Sequence, residues 1–203
     1  MKPVIVFDLG KTLVDFDYTI AANRIAPRCA PDTDAAKFFS TYSALLTSYE
    51  LGLLTTPQFF GQIKAASGFS GTQTEFNEYF ADIFTPIEPM IELHTELRKK
   101  KMGTYVLSNT NDLAIEHIRK KFPFFNDFDG YVLSYEHGVL KPASKLYEIV
   151  ERASGRRGSQ IVYIDDRQEN VDTGTARGWK AILHEEPGKT RAALQKLGII
   201  DQA

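Results

Sequence analysis

Val4-Ile5-Val6-Phe7 is an unbroken apolar run, mostly β-branched, and it stops abruptly at Asp8. Such a run is long enough for a strand and too short for a helix. Both faces of its alternation are apolar, so it needs cover on both sides, as in the centre of a parallel sheet. Parallel strands must be joined by crossover connections, usually helices. The run therefore commits the rest of the chain to an α/β plan. It also gives Asp8 an address at the carboxyl end of a central strand, where open sheets gather their ligands. Gly10, Lys11 and Thr12 follow at once.

The remaining chain supplies the other strands. Thr104–Leu107, Gly130–Leu133, Gln160–Ile164 and Lys180–Leu183 are short buried-strand patterns. Amphipathic segments separate them at Met90–Lys101, Asn111–Phe122, Ala143–Ala153, Glu169–Arg177 and Lys189–Leu197. This alternation predicts a doubly wound, parallel five-stranded, Rossmann-like sheet. Residues 16–85 break the pattern, because they read as helices with no convincing strand. Helices are expected over Phe16–Ile25, over a single span Ala35–Leu51, from Pro57 to about Ser67, and over Thr74–Ile83. Thr55-Thr56-Pro57 carries a cap and a first-turn proline. The expected organisation is an α/β core of residues 1–15 and 88–203, with an α-helical cap inserted at 16–87. The aromatic stripe of that insertion reads mainly as its core. Tyr18, Tyr42, Tyr49 and Glu50 are the cap residues considered for lining a pocket, and hinges are expected near Asp15–Phe16 and Thr85–Pro89.

Charge and cysteine content narrow the partners. With 24 basic and 26 acidic residues, the net charge is −2 and no basic stripe stands out, which argues against nucleic acid. No apolar run approaches the roughly 20 residues of a membrane span. Cys29 is the single cysteine, so no internal disulfide forms. Asp8 and Lys11 interrupt any signal-peptide core in residues 1–15. A cytoplasmic location is expected. Nothing in the sequence specifies an oligomeric state.

Three later segments place polar residues where strands end. They are Ser108-Asn109-Thr110-Asn111, Lys141-Pro142, and Asp165-Asp166 with Asn170 one turn on. Parallel strands bring them to the same edge as Asp8. Taken singly, each is an ordinary cap or loop. Taken together they suit phosphoryl transfer, which needs a nucleophile plus cations and donors on the phosphoryl oxygens. The Ser108 hydroxyl, the Asn109 backbone N–H at a helix start, and the Lys141 ammonium are the expected phosphate contacts. Mg²⁺ takes oxygen ligands, and Asp8, Asp166 and a backbone carbonyl of the Asp8 turn can supply them. Asp165 is expected to orient a metal-bound water or to ligate directly. The predicted chemistry is in-line attack of Asp8 on phosphorus, then hydrolysis of the aspartyl-phosphate.

Phe7-Asp8-Leu9-Gly10-Lys11-Thr12-Leu13, Leu107-Ser108-Asn109-Thr110, Gly138-Val139-Leu140-Lys141-Pro142 and Ile164-Asp165-Asp166-Arg167-Gln168-Glu169-Asn170 resemble, in order, the four motifs of the haloacid dehalogenase-like hydrolases. The resemblance spans nearly the whole chain. Its Asp-Leu-Gly start is most similar to a bacterial subgroup that includes a sugar-phosphate phosphatase acting on glucose 1-phosphate. The resemblance implies a Mg²⁺-dependent phosphatase with Asp8 as nucleophile, Asp166 as metal ligand and the Gly10 carbonyl as a further ligand.

Gly10 departs from that pattern, because phosphatases of the family carry a second aspartate there as general acid and base. Three consequences are open. The substrate's leaving group departs with little help, as in anomeric sugar phosphates or acyl phosphates. Or a substitute serves, from Asp15, His137 or the cap. Or the chain is a weakly catalytic binding or regulatory module. Metal-independent 2-haloacid dehalogenases also lack the second aspartate and form the alternative enzyme class, although paired carboxylates suit a cation better than a halide.

Overall fold

The computed structural model describes residues 2–201. Its elements run β1 (Val4–Phe7), β2 (Val14–Phe16), α1 (Tyr18–Ile25), α2 (Phe38–Thr41), α3 (Ser43–Glu50), α4 (Thr56–Ser67), α5 (Gln73–Ala81), β3 (Phe84–Pro86) and α6 (Glu88–Lys99). They continue with β4 (Thr104–Ser108), α7 (Asp112–Lys121), β5 (Gly130–Leu133), α8 (Ser134–His137), α9 (Ser144–Ser154), β6 (Ile161–Asp165), α10 (Gln168–Ala176), β7 (Lys180–Leu183) and α11 (Pro187–Lys196). The fold is α/β, with a five-stranded parallel sheet in the order β5-β4-β1-β6-β7.

β1 lies at the centre, and all four of its residues are buried. Ile5 and Phe7 face one layer, packed with Met90, Leu93 and Leu97 of α6 and with Leu194 of α11. Val4 and Val6 face the other layer, packed with Leu146, Tyr147 and Val150 of α9. The two-residue period of a strand thus feeds two apolar layers from a single run. Phe7 pairs in register with Val106 on one side and Ile164 on the other. The next residues on these strands are Asp8, Leu107 and Asp165, so the pairing register sets three site positions at one level.

Residues between β2 and β3 pack an aromatic cluster of their own, with Phe38, Tyr49, Phe59, Phe69, Phe76 and Phe80 buried. Rings interlock there, as with Tyr49 stacked on Phe59 at 4.4 Å between centroids. α4 and α5 each begin with a reciprocal capping box, Thr55 with Gln58 and Thr72 with Glu75.

Two expectations need correcting. The stretch 16–85 was expected to hold no strand, yet Phe16 and Phe84 belong to an antiparallel two-stranded ribbon, with Val14↔Pro86 and Phe16↔Phe84 paired. The chain leaves and re-enters the core side by side, and three residues per strand are too few to show alternation. Likewise Ala35–Leu51 is not one helix. A 3₁₀ turn over Ala35–Lys37 precedes α2, and Tyr42 (φ −104°, ψ 20°) separates α2 from α3. The apolar spacing continues through that break and so conceals it. Among the described residues, no helix is long and apolar enough to cross a membrane.

Candidate active site

Lys141 is the hub of the strand ends. Its Nζ lies 2.8 Å from Asp8 Oδ1, 2.7 Å from Asp165 Oδ2 and 3.0 Å from the Leu107 carbonyl. These are the three positions that the sheet register holds level, so one ammonium ties three adjacent strands at the site. The ammonium's three donors are all used. Burial works against its charge, but Asp8 and Asp165 outweigh that and hold its pKa above the ordinary lysine range. Asn109 fixes the loop that delivers it. Asn109 Oδ1 accepts the Lys141 N–H at 2.7 Å, and Asn109 Nδ2 donates to the Lys141 carbonyl at 3.2 Å.

Asp8 is 7% exposed, and the Leu9 N–H donates to its Oδ1 at 2.6 Å. Burial pushes its carboxyl up to about 7, Lys141 opposes this, and Asp165 and Asp166 add to it. Such a group stays ionised when a cation sits beside it. One oxygen each of Asp8, Asp165 and Asp166 lies within 4.8 Å of the others. All are hard oxygen donors, the kind that suits Mg²⁺ rather than a thiophilic metal.

The two aspartates after β6 differ. Asp165 is fully buried, and its oxygens accept from Lys141, the Tyr163 hydroxyl, the Arg167 N–H and Asn170 Nδ2. Burial opposes its charge, yet Lys141 and these donors keep its pKa below the usual carboxylate value. Of the two roles expected for Asp165, this donor count favours orientation over direct ligation. Asp166 is partly exposed, lines the cavity, and forms no salt bridge with any described residue.

Ser108 ends β4, is buried, and lines the adjoining part of the cavity. Asn109 is not at a helix start. The helix begins at Asp112, with Asn111 Oδ1 capping the Ala114 N–H at 2.9 Å. Four consecutive cap-competent residues hid which of them caps. Thr110 instead donates its N–H to Ser134 Oγ.

Asp8, Gly10, Lys11, Phe16, Glu50, Asn109, Lys141, Asp166, Arg167 and Asn170 line a cavity of about 190 Å³. Tyr18 and Glu50 reach the site from the cap side. Tyr42 instead borders a separate cavity, and Tyr49 is buried among the cap rings. Asp15 is exposed and bound to Lys11, which lowers its pKa, and His137 does not line the cavity. A larger cavity of about 560 Å³ lies at the opposite strand ends, around Lys2, Gly103 and Arg156. It holds one carboxylate, Asp129, already paired with Arg98.

Four polar segments at one sheet edge, with a helical unit folded over them, define a hydrolase site of known type. The sequence matches the family described as haloacid dehalogenase-like hydrolase over residues 2–178, and the chain belongs to that family. It is 24% identical over 196 residues to the D-ribitol-5-phosphate phosphatase of Bacteroides thetaiotaomicron, covering 94% of this chain and 95% of that protein. It is 28% identical over 200 residues to pyrimidine 5'-nucleotidase YjjG of Escherichia coli K12, covering 90% and 87% respectively. The fold is shared with the Bacteroides thetaiotaomicron enzyme bt-2542, solved in complex with magnesium and inorganic phosphate. The TM-score is 0.80 at 22% identity, over 90% of this chain and 94% of that one.

Proposed function

We propose that this chain is a Mg²⁺-dependent phosphatase of a small phosphorylated metabolite, acting through an aspartyl-phosphate on Asp8. The observation that carries the reading is the Asp8–Lys141–Asp165 bridge, with the unbridged Asp166 carboxylate within 4.8 Å. The curated relatives named as phosphatase and nucleotidase support it.

Asp8, the Gly10 carbonyl and Asp166 would hold the ion. A bound Mg²⁺ supplies neutralising charge for the phosphoryl oxygens. Asp8 attacks phosphorus, its Oδ–P bond forms, and the ester P–O bond breaks. Water then hydrolyses the aspartyl-phosphate and regenerates Asp8. Lys141 keeps Asp8 oriented and compensates its charge. The Ser108 hydroxyl and the Asn109 N–H are the remaining donors to the phosphoryl group. The cap, residues 16–87, closes over the core and excludes water, hinged where the β2–β3 ribbon crosses.

A cavity of about 190 Å³ favours a short polyol or sugar phosphate over a nucleotide. A cytoplasmic setting agrees with the lone Cys29. The dehalogenase alternative needs an anion cradle for halide, whereas three carboxylates meet here. The binding-module alternative rests on Gly10 alone.

The test is a phosphate-release screen over polyol, sugar, acyl and nucleoside phosphates, with and without Mg²⁺. Turnover is expected with Mg²⁺ and short polyol or sugar phosphates, and loss with EDTA and in Asp8→Asn. Halide release without metal, or full activity in Asp8→Asn, would overturn the reading.

A further inference from the structure

The space where the family's acid would stand is occupied. A Cβ placed on Gly10 would lie 2.8 Å from Phe16 Cε1. That ring is held by Tyr18 at 5.5 Å and Phe84 at 6.2 Å between centroids, with Lys11 Nζ 4.8 Å from its own centroid. The proton donor must therefore come from elsewhere on the cavity wall.

The titratable lining can be taken in turn. Asp8 is the nucleophile, and Asp166 belongs to the ion. Lys141 has spent its donors on Asp8, Asp165 and Leu107. Lys11 is held by Asp15 and donates to the Phe16 carbonyl at 2.9 Å. Arg167 is paired with Glu169 and does not give up a proton. Burial raises the Tyr18 phenol well above its usual pKa, which makes it a poor acid. Glu50 remains. It is the last residue of α3, lines both parts of the cavity, and its carboxyl forms no salt bridge among the described residues. Ser134 Oγ donates to its backbone carbonyl at 2.7 Å, pinning this end of the cap to the core beside the site.

We propose that Glu50, delivered by the cap, is the acid–base residue of this site and replaces the carboxylate that Gly10 and Phe16 exclude. The proposal rests on the phosphatase reading of Asp8. As the Asp8–phosphorus bond forms, the Glu50 carboxyl gives its proton to the departing ester oxygen, and the alcohol leaves. The Glu50 carboxylate then takes a proton from water as the water oxygen attacks phosphorus. The Asp8–phosphorus bond breaks, inorganic phosphate is released, and both carboxyl groups return to their starting forms.

Burial pushes the Glu50 carboxyl up to about 7, which suits a group that must both give and take a proton near neutrality. The groups around it are Phe16 and Lys11 from the first loop and Tyr18 from α1. Across the cavity are Asp8, Asn109, Lys141, Asp166, Arg167 and Asn170. Desolvation alone accounts for its shift.

The test compares wild type, Glu50→Gln and Glu50→Asp in the full chain with Mg²⁺. The substrates are an alkyl ester such as a polyol phosphate and an activated aryl ester, p-nitrophenyl phosphate. With the alkyl ester, Glu50→Gln should lose about 10²- to 10⁴-fold in kcat with little change in KM. It should also lose the alkaline limb of its pH profile, and Glu50→Asp should recover part of the rate. With the aryl ester, Glu50→Gln should give a burst of one nitrophenol per enzyme, then slow turnover while aspartyl-phosphate accumulates. The burst also counts correctly folded sites. An active wild type whose Glu50→Gln variant keeps its alkyl-ester kcat, or changes KM alone, overturns the assignment of Glu50 and leaves the phosphatase reading standing. A wild type that hydrolyses neither ester overturns both.

Discussion

Lys141 shows how much one residue can organise. It brings one positive charge to two buried carboxylates, and all of its donors are used. Removing one partner of a buried ionic group typically costs about 3–5 kcal/mol, because the remaining charges lose compensation. Lys141→Met should therefore lower unfolding free energy by roughly that amount in urea titrations, as well as abolish turnover. Asp165→Asn should cost less, since the Asn170, Tyr163 and Arg167 donors can partly re-pair. Lys141, Asp8 and Asp166 were legible because each stands just past an apolar run, where composition changes abruptly. The role of Asn109 was not legible, because its partner lies 32 positions away, on the loop that delivers Lys141. Glu50 was readable as a cap residue near the pocket, but its lack of a cation partner emerges only once the cap is folded onto the core.

Among the elements, the β2–β3 ribbon decides what Gly10 means. It places Phe16 opposite Phe84, and the Phe16 ring takes the volume beside Gly10. Gly10→Asp is therefore not a simple restoration of the family pattern. Over-packing of this sort typically costs about 1–3 kcal/mol. Gly10→Asp should melt at lower temperature than wild type. Adding Phe16→Ala should recover part of that loss, so that the two substitutions are non-additive in a double-mutant cycle. Equal and additive losses would show that the ring does not oppose the side chain. The sequence announced the absence of the acid at position 10 and gave no sign of what fills its place. Three-residue strands leave no periodic trace, and ring placement depends on pairing between segments 68 residues apart, as from Phe16 to Phe84.

At the scale of the whole molecule, two groups set opposed responses to pH, one in the core and one in the cap. His94 of α6 is buried, stacked on Phe128 at 4.0 Å, with Nε2 3.2 Å from Thr104 Oγ1. Burial lowers its pKa from 6.5 to about 4. Between those values the unfolded chain binds the proton and the folded chain does not, so the His94 contribution is present above pH 6.5 and lost as pH falls toward 4. Glu50 is raised from 4.5 to about 7, so its contribution is present below pH 4.5 and lost as pH rises toward 7. Each shift is worth at most about 3 kcal/mol at 1.36 kcal/mol per pKa unit. Over the window from about pH 4.5 to 6.5 the two slopes have opposite sign and largely cancel. Comparing variants with wild type isolates each group from the other carboxylates. Relative to wild type, Glu50→Gln should gain stability as pH rises through this window, because the cost of keeping Glu50 protonated is gone. His94→Gln should lose stability relative to wild type over the same rise, because the histidine slope is removed. Urea unfolding of the three proteins at half-unit pH steps measures both differences. Parallel curves for Glu50→Gln and wild type would mean that the Glu50 carboxyl titrates as it does in the unfolded chain, which a cap-delivered acid active near neutrality cannot do.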